Sequence, residues 1–206
     1  MRAKNARCDR CSDFFRGSLS FLLRMRDACF RASGAPVGPV TLDVGPRERG
    51  VAVFPTPHEA NVVALLAAGV VKPTSGCVLI DQYDPRVQPA HCKRAAAFVP
   101  HDALPLRDLE FERYVTYRAA LWNVDVHKAI AHAKLLIERL EGVHEAFAIP
   151  IVGALIGNPK LLVLDRPQPV YAQRIVAAVG PRAIFSTHLS QGAAAEFVRA
   201  TAEAYA

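Results

Sequence analysis

The sequence predicts an α/β fold built around a mostly parallel sheet with helices on both faces. Residues 161–164 form an unbroken apolar run, LLVL, which is typical of a strand buried on both faces of such a sheet. Residues 126–140 repeat apolar side chains at every third or fourth position, which indicates a helix. Strand-like and helix-like segments then alternate along most of the chain, as they do where helices connect parallel strands.

The N-terminal part of the chain predicts a small antiparallel sheet. Residues 1–17 are polar, basic and unpatterned, and we expect a disordered or frayed extension there. Residues 19–30 alternate arginines with apolar side chains, which favours a strand and leaves an amphipathic helix open. Residues 40–44 and 50–54 predict two further strands, with turn signals before each of them. Together the three segments suggest a small antiparallel sheet that leads into a buried strand.

The remaining segments predict the alternating helices and strands themselves. Apolar residues at helical spacing predict helices over 59–68, 109–122, 126–140, 150–156, 171–179 and 191–204. Short apolar runs predict strands over 77–81, 95–99, 161–165 and 182–188. We place Pro150 in the first turn of its helix, where proline is tolerated because its missing N–H would have no helical partner. We expect residues 18–206 to form a single domain.

Composition and charge favour a globular protein with a mildly basic surface. Hydrophobic residues make up 51% of the chain and charged residues 21%, and the formal net charge is +6. Such a charge attracts anions, among them nucleotides, nucleic acid and the cytoplasmic face of a membrane. The cations are spread along the chain, so a solvated surface is the simplest interpretation and nucleic-acid binding is disfavoured. No apolar run reaches the roughly 18 residues that cross a bilayer.

The cysteines and the N-terminus predict a cytoplasmic protein. The sequence has an odd number of cysteines, five, which argues for reduced thiols in the cytoplasm. Cys8 and Cys11 form a single C-x-x-C, and no second pair follows at a spacing that would complete a zinc site. The basic N-terminus lacks the apolar core and cleavage site of a secretory signal.

The order of several sequence pieces resembles the ATP-binding subunit of an ABC transporter. The pieces are residues 22–44, 62–81 (VVALLAAGVVKPTSGCVLID), 96–101 (AAFVPH), 154–167 (ALIGNPKLLVLDRP) and 183–188 (AIFSTH). The resemblance implies a P-loop-NTPase-like fold with a small antiparallel subdomain on the N-terminal side. It also implies a shortened helical subdomain at about 106–150, and ATP and Mg²⁺ as the cofactors of the family.

The phosphate loop of the family falls at residues 54–62, FPTPHEANV, and this stretch has no glycine. In the family, the backbone N–H groups and a lysine of this loop hold the phosphates. Here alanine stands at the lysine position, and a glutamate places negative charge where the triphosphate would lie. A proline within the loop removes a backbone donor, so we expect the loop not to hold ATP in the usual way. The altered positions are Pro55, Pro57, Glu59, Ala60 and Asn61.

Four further positions follow from the resemblance. Asp165 stands where the family has a magnesium-binding aspartate, and His188 where it has a histidine that senses the γ-phosphate. Arg166 replaces the catalytic glutamate, and a guanidinium, which stays protonated, cannot act as a general base. His101 replaces the glutamine of the Q-loop. Asp165 is therefore either a magnesium ligand or a carboxylate of the fold's framework, bonded to nearby backbone or paired with Arg166.

These substitutions predict a non-hydrolysing subunit with a regulatory or structural role in a membrane transport complex. Its partners would be a membrane permease subunit, an intact ATP-binding subunit in a dimer, or both, at the inner face of the membrane. One alternative keeps weak ATP binding or hydrolysis through Asp165 and His188. Two others are a basic nucleic-acid-binding protein and a chain without a selected role.

Overall fold

The computed structural model describes residues 21–32, 35–101 and 111–203. The extension predicted at 1–17 and the Cys8–Cys11 pair lie outside these ranges. The strands are β1 (Leu23–Phe30), β2 (Val37–Val44), β3 (Arg49–Val53), β4 (Ser75–Ile80), β5 (Ala96–Val99), β6 (Leu161–Asp165) and β7 (Ala183–His188). The helices are α1 (Pro57–Ala67), α2 (Pro89–Ala95), α3 (Phe111–Trp122), α4 (Val126–Arg139), α5 (Glu145–Leu155), α6 (Ala172–Val179) and α7 (Gln191–Glu203), with a 3₁₀ turn at Pro169–Tyr171.

A small antiparallel sheet has the strand order β2-β1-β4. The segment 19–30, for which we leave strand and helix open, therefore contains a strand, β1. Arg24 and Arg26 on β1 both pair with Asp43 on β2 across the ladder. The strand predicted at 50–54 does not join this sheet, because β3 pairs in parallel with β7 instead. Its place beside β1 is taken by β4.

The second sheet is parallel, with the strand order β3-β7-β6-β5. Leu161 and Val163 of β6 pack into a core shared with α1 and the antiparallel sheet. Leu162 and Leu164 pack into the core formed by the helices on the other side. All four side chains are fully buried, and each contributes roughly 1.5–3 kcal/mol on burial. The predicted α/β fold, with a strand at 161–165 buried on both faces, is confirmed.

Helix α5 begins earlier than the sequence predicts, and the placement of Pro150 in its first turn is wrong. The helix runs from Glu145, where the ring of His144 accepts a hydrogen bond from the Ala146 N–H at 3.2 Å, and Pro150 lies inside it. An interior proline costs about 3 kcal/mol, because it removes a backbone bond and crowds the preceding turn. Burial of the helix on nearly all sides, with Phe147 and Ile151 in the core, more than offsets that cost.

The described cysteines include both disulfide-bonded and free side chains. Cys77 is disulfide-bonded, so the prediction of reduced thiols is wrong for this position. Cysteine count and spacing do not reveal which segments fold onto each other, which is why the prediction failed. Cys29 and Cys92 are free, and burial raises the pKa of Cys92 to about 11. Within the described ranges, no helix has the length and apolar character to cross a membrane.

Candidate functional site

The candidate site lies where the parallel strands end. β6 ends at Asp165 and the adjacent β7 ends at His188, while β3 ends at Val53 and is followed closely by α1. Ligand sites of open α/β sheets lie at this carboxyl edge, in the crevice beyond the strand ends. The topology therefore brings the altered phosphate-loop segment to the same edge as Asp165.

The segment between β3 and α1 is short, because most of the predicted phosphate loop is helical. Thr56 is the N-cap of α1, and its hydroxyl oxygen accepts a hydrogen bond from the Glu59 N–H at 3.2 Å. The same hydroxyl lies 3.2 Å from the Glu59 carboxylate, to which it donates. Pro57 occupies the first turn and has no N–H to offer. Thr56 thus caps the first turn of α1, and the Glu59 carboxylate is engaged by the hydroxyl of that cap.

Four donors of the chain surround the carboxylate of Asp165, which has no exposed surface. Its Oδ1 accepts from Arg166 Nε at 3.0 Å and from the Thr187 hydroxyl at 3.1 Å. Its Oδ2 accepts from Asn61 Nδ2 at 2.9 Å and from Arg166 Nη2 at 3.1 Å. We call Asn61, Asp165, Arg166 and Thr187 the Asp165 cluster. The pairing with Arg166 that the sequence leaves open is present in it.

The Asp165 cluster keeps the carboxylate ionised. Burial raises the pKa of Asp165, but the hydrogen bonds from Arg166, Asn61 and Thr187 and the positive charge of Arg166 outweigh that effect. The net result is a pKa below the ordinary value of 3.8. A buried carboxylate with this pKa requires the donors that surround it, because an unpaired charge in that position would be expensive.

The backbone of Arg166 is held as tightly as its side chain. Its φ of 49° lies in the left-handed region, which is unusual for a residue with a long side chain. Its N–H donates to the Thr187 hydroxyl at 3.3 Å, and its carbonyl oxygen lies 3.0 Å from His101 Nδ1. A carbonyl only accepts, so the Nδ1–H of His101 is the donor in this contact. The Q-loop position is therefore joined to the Asp165 cluster through the Arg166 backbone.

His188 lies away from this cluster, on the opposite face of β7. The residue is 2% exposed. Its ring lies 5.3 Å from the Phe197 ring of α7, and its Nε2 lies 2.9 Å from the Ser186 hydroxyl. Burial lowers the pKa of His188 to about 4, so the ring is neutral at ordinary pH. Neighbouring side chains on a strand point to opposite faces, and Thr187 is the one that faces Asp165.

Solved structures of ABC transporter ATP-binding subunits are similar to this chain. CbiO1 from Clostridium perfringens, part of the ABC transporter complex CbiONQ, is 14% identical, with a TM-score of 0.67 over 86% of this chain and 82% of that one. Another ATP-binding subunit of an ABC transporter is 17% identical, with a TM-score of 0.64 over 81% and 79%. The ATP-binding cassette MJ0796, a dimer in a post-hydrolysis state with ADP and Pi, is 14% identical, with a TM-score of 0.65 over 84% and 90%. No protein-family model and no curated protein matches the sequence.

The chain has the fold of ABC transporter ATP-binding subunits. The P-loop-NTPase-like fold predicted from the sequence is thus confirmed, with its small antiparallel sheet and its helices. The bounds predicted for the extension, the domain and the helical subdomain remain predictions. Likeness at these identities concerns the fold, so what the site does has to be argued from its own residues.

Within this ABC ATP-binding fold, the structure joins some predicted site residues and separates others. Asn61, His101, Asp165 and Arg166 are connected by hydrogen bonds, whereas His188 lies in the core under α7. The described residues contain no group of three or more histidine, cysteine, aspartate or glutamate side chains placed to hold a metal.

Sequence reasoning missed two contributors to the site, Thr56 and Thr187. The cap at Thr56 had a readable signal, since Thr56 and Glu59 follow the T-x-x-E pattern of a capping box. The role of Thr187 depends on register, because it lies directly opposite Asp165 in the β6–β7 ladder. That register is not visible in the sequence of either strand alone.

Proposed function

We propose that the chain is a non-hydrolysing subunit of a membrane transport complex, with a regulatory or structural role. The observation that carries the proposal is the Asp165 cluster: each oxygen of the buried carboxylate accepts two hydrogen bonds from the chain itself. A carboxylate surrounded in this way offers no open position to Mg²⁺, so the residues present do not fit the metal of the family.

The N-terminal end of α1 also supports the proposal, because it is poorly suited to bind the phosphates of ATP. An anion at a helix N-terminus needs free backbone N–H groups, but the Glu59 N–H is bonded to Thr56 and Pro57 has none. The Glu59 carboxylate adds like-charge repulsion, of order 1–4 kcal/mol at about 4 Å from a phosphate. Ala60, at the lysine position, is fully buried and brings no cation.

Hydrolysis would also lack a base. Arg166, at the glutamate position, keeps its proton and binds Asp165 with it. The neutral His188 ring lies in the core, bonded to Ser186, on the face of β7 opposite the Asp165 cluster. Neither side chain is placed to activate a water molecule beside Asp165.

The partners we propose follow from the structural relatives. CbiO1 is part of a transporter complex, and MJ0796 is described as a dimer. We infer that this chain binds a membrane permease subunit, an intact ATP-binding subunit, or both, at the inner face of the membrane. In a dimer it would contribute a surface, and the partner subunit would supply the hydrolysis.

Equilibrium titration of the full chain with a fluorescent ATP analogue and Mg²⁺ tests the proposal. We expect no saturable binding in the micromolar range and no phosphate release above that of a buffer blank. Asp165→Ala should behave like the parent chain, and Glu112→Ala, which removes an exposed carboxylate of α3, serves as the matched control. Micromolar binding that is lost in Asp165→Ala and kept in Glu112→Ala would instead establish the ATP-binding alternative.

The proposed partners require a separate experiment. The tagged full chain should be expressed together with a multi-span permease and any intact ATP-binding subunit encoded beside its gene. We expect the chain to sediment with the membrane fraction and to co-purify with at least one of these proteins. A chain that stays in the soluble fraction, and co-purifies with neither, would contradict the transport role.

A further inference from the structure

We propose that the guanidinium of Arg166 is a built-in substitute for a divalent cation, and that it masks a latent cation site on Asp165. The proposal concerns the chemistry of the cluster alone and does not depend on a transport role. It goes beyond the absence of hydrolysis, because it predicts what the site does once the guanidinium is removed.

The first support is charge. The Asp165 carboxylate is fully buried, and a buried carboxylate needs a counter-charge held close to it. Arg166 supplies that charge in a two-pronged contact, with Nε on one oxygen and Nη2 on the other. This arrangement neutralises both oxygens together, as a metal ion bound by both carboxylate oxygens would.

The second support is the remaining donor set. Among the described residues, the carboxylate also accepts hydrogen bonds from the side-chain amide of Asn61 and the hydroxyl of Thr187, at 2.9 Å and 3.1 Å. An amide rotated by half a turn presents its oxygen, and a hydroxyl also has an oxygen lone pair to offer. Without the guanidinium, Asp165, Asn61 and Thr187 would form a small set of hard oxygen ligands of the kind that suits Mg²⁺ and Mn²⁺.

The third support is the way in which Arg166 is positioned. Successive side chains of an extended strand point to opposite faces, and the positive φ of Arg166 departs from that extended geometry at the residue whose side chain contacts Asp165. Two bonds fix this geometry, from the Arg166 N–H to Thr187 and from His101 to the Arg166 carbonyl. The guanidinium is therefore held at the carboxylate by contacts from β7 and from the residue two positions beyond β5.

The test measures Mn²⁺ binding by electron paramagnetic resonance and thermal unfolding with and without Mn²⁺, in the full chain without nucleotide. We expect the parent chain to show no saturable binding and no shift of its unfolding midpoint. Arg166→Ala should bind Mn²⁺ at least tenfold more tightly than the parent chain, and its midpoint should rise with Mn²⁺. Arg174→Ala, which removes an exposed arginine of α6, is the matched control and should behave like the parent chain.

A double variant locates the site. Asp165→Asn combined with Arg166→Ala should lose the Mn²⁺ binding gained by Arg166→Ala, because the charged ligand is gone. Equal binding by the parent chain and Arg166→Ala, or gained binding that survives Asp165→Asn, would overturn the proposal.

The proposal can also be tested if the chain does not fold without Arg166. If Arg166→Ala is insoluble, Arg166→Gln keeps the length of the side chain and removes its charge. If folded Arg166→Gln is recovered in buffer with Mn²⁺ but not in metal-free buffer, the result supports the proposal that the guanidinium takes the place of a divalent cation. Equal recovery in both buffers refutes it. Failure of this proposal would leave the ATP titration unaffected, since that titration uses the parent chain and Asp165→Ala.

Discussion

Protonation of His188 is expected to destabilise the fold, and the position of the ring sets the size of the effect. The ring is buried beside Phe197, and its hydrogen bond goes to a neutral group, the Ser186 hydroxyl. Burial lowers the pKa of His188 to about 4, whereas the ordinary value of 6.5 applies to the unfolded chain. Between these two pH values, the unfolded chain takes up a proton that the folded chain does not.

The sign of the effect follows from this difference in proton binding. The stability that His188 contributes is fully present above its unfolded pKa of 6.5, and it is lost as the pH falls towards the folded value of about 4. Between about pH 7 and about pH 5, the two pKa values correspond to a loss of about 2 kcal/mol in the free energy of unfolding. The loss over the whole window approaches about 3 kcal/mol, since one pKa unit corresponds to about 1.4 kcal/mol.

Urea unfolding at a series of pH values measures the effect. His188→Gln cannot take up the proton, so its free energy of unfolding should fall by about 2 kcal/mol less than that of the parent chain between about pH 7 and about pH 5. His127→Gln, an exposed histidine on α4, is the matched control and should follow the parent chain. Parallel curves for His188→Gln and the parent chain would refute the reasoning, because they would mean that the buried ring accepts its proton without penalty.

Two further predictions concern a helix cap and a close packing contact. Thr56→Ala should lower the free energy of unfolding by about 1 kcal/mol, because α1 loses the cap on the Glu59 N–H, and Thr56→Ser should retain most of it; chemical denaturation of the three proteins decides this. Gly157→Ala should cost about 1–3 kcal/mol, because the added methyl would lie 2.7 Å from the Trp122 ring. Gly192→Ala, with no neighbour closer than 3.9 Å, should cost nothing measurable, and an equal midpoint shift in both glycine variants would contradict the packing argument.

Much of the fold was predictable because hydrophobic pattern and secondary structure agree along most of the chain. The run at Leu161–Asp165 could be assigned to a buried parallel strand, since a strand covered on both faces needs no polar side chains. The sheet to which β3 belongs could not be assigned in the same way. Its side chains are only half-buried, and its pairing with β7 joins residues far apart in sequence. The early start of α5 was not predictable, because proline is typical of a first helical turn and the sequence does not show that burial offsets the cost of Pro150 inside the helix.

The sequence was sufficient to predict which residues belong to the site, but not which of them are joined by hydrogen bonds. The sequence shows that Arg166 stands at the glutamate position. It also shows that Asp165 is either a magnesium ligand or a framework carboxylate that can pair with Arg166. The participation of Thr187 depends on strand register, and the direction in which His188 points depends on which residues of β7 face each core. Because β7 is buried on both faces, its sequence carries no polar alternation from which that direction could be inferred.

The contacts of Arg166 also determine how the domain responds to the composition of its surroundings. A bound ion stabilises a protein by an amount that rises and falls with the concentration of the free ion. A side chain cannot be diluted, so the two bonds from Arg166 to Asp165 persist at any level of magnesium or nucleotide. Asn61 on α1 and Thr187 on β7 bind the same carboxylate, so the end of β6 stays joined to both elements whether the magnesium and nucleotide concentrations are high or low. A partner that contacts this edge would meet a surface of constant shape.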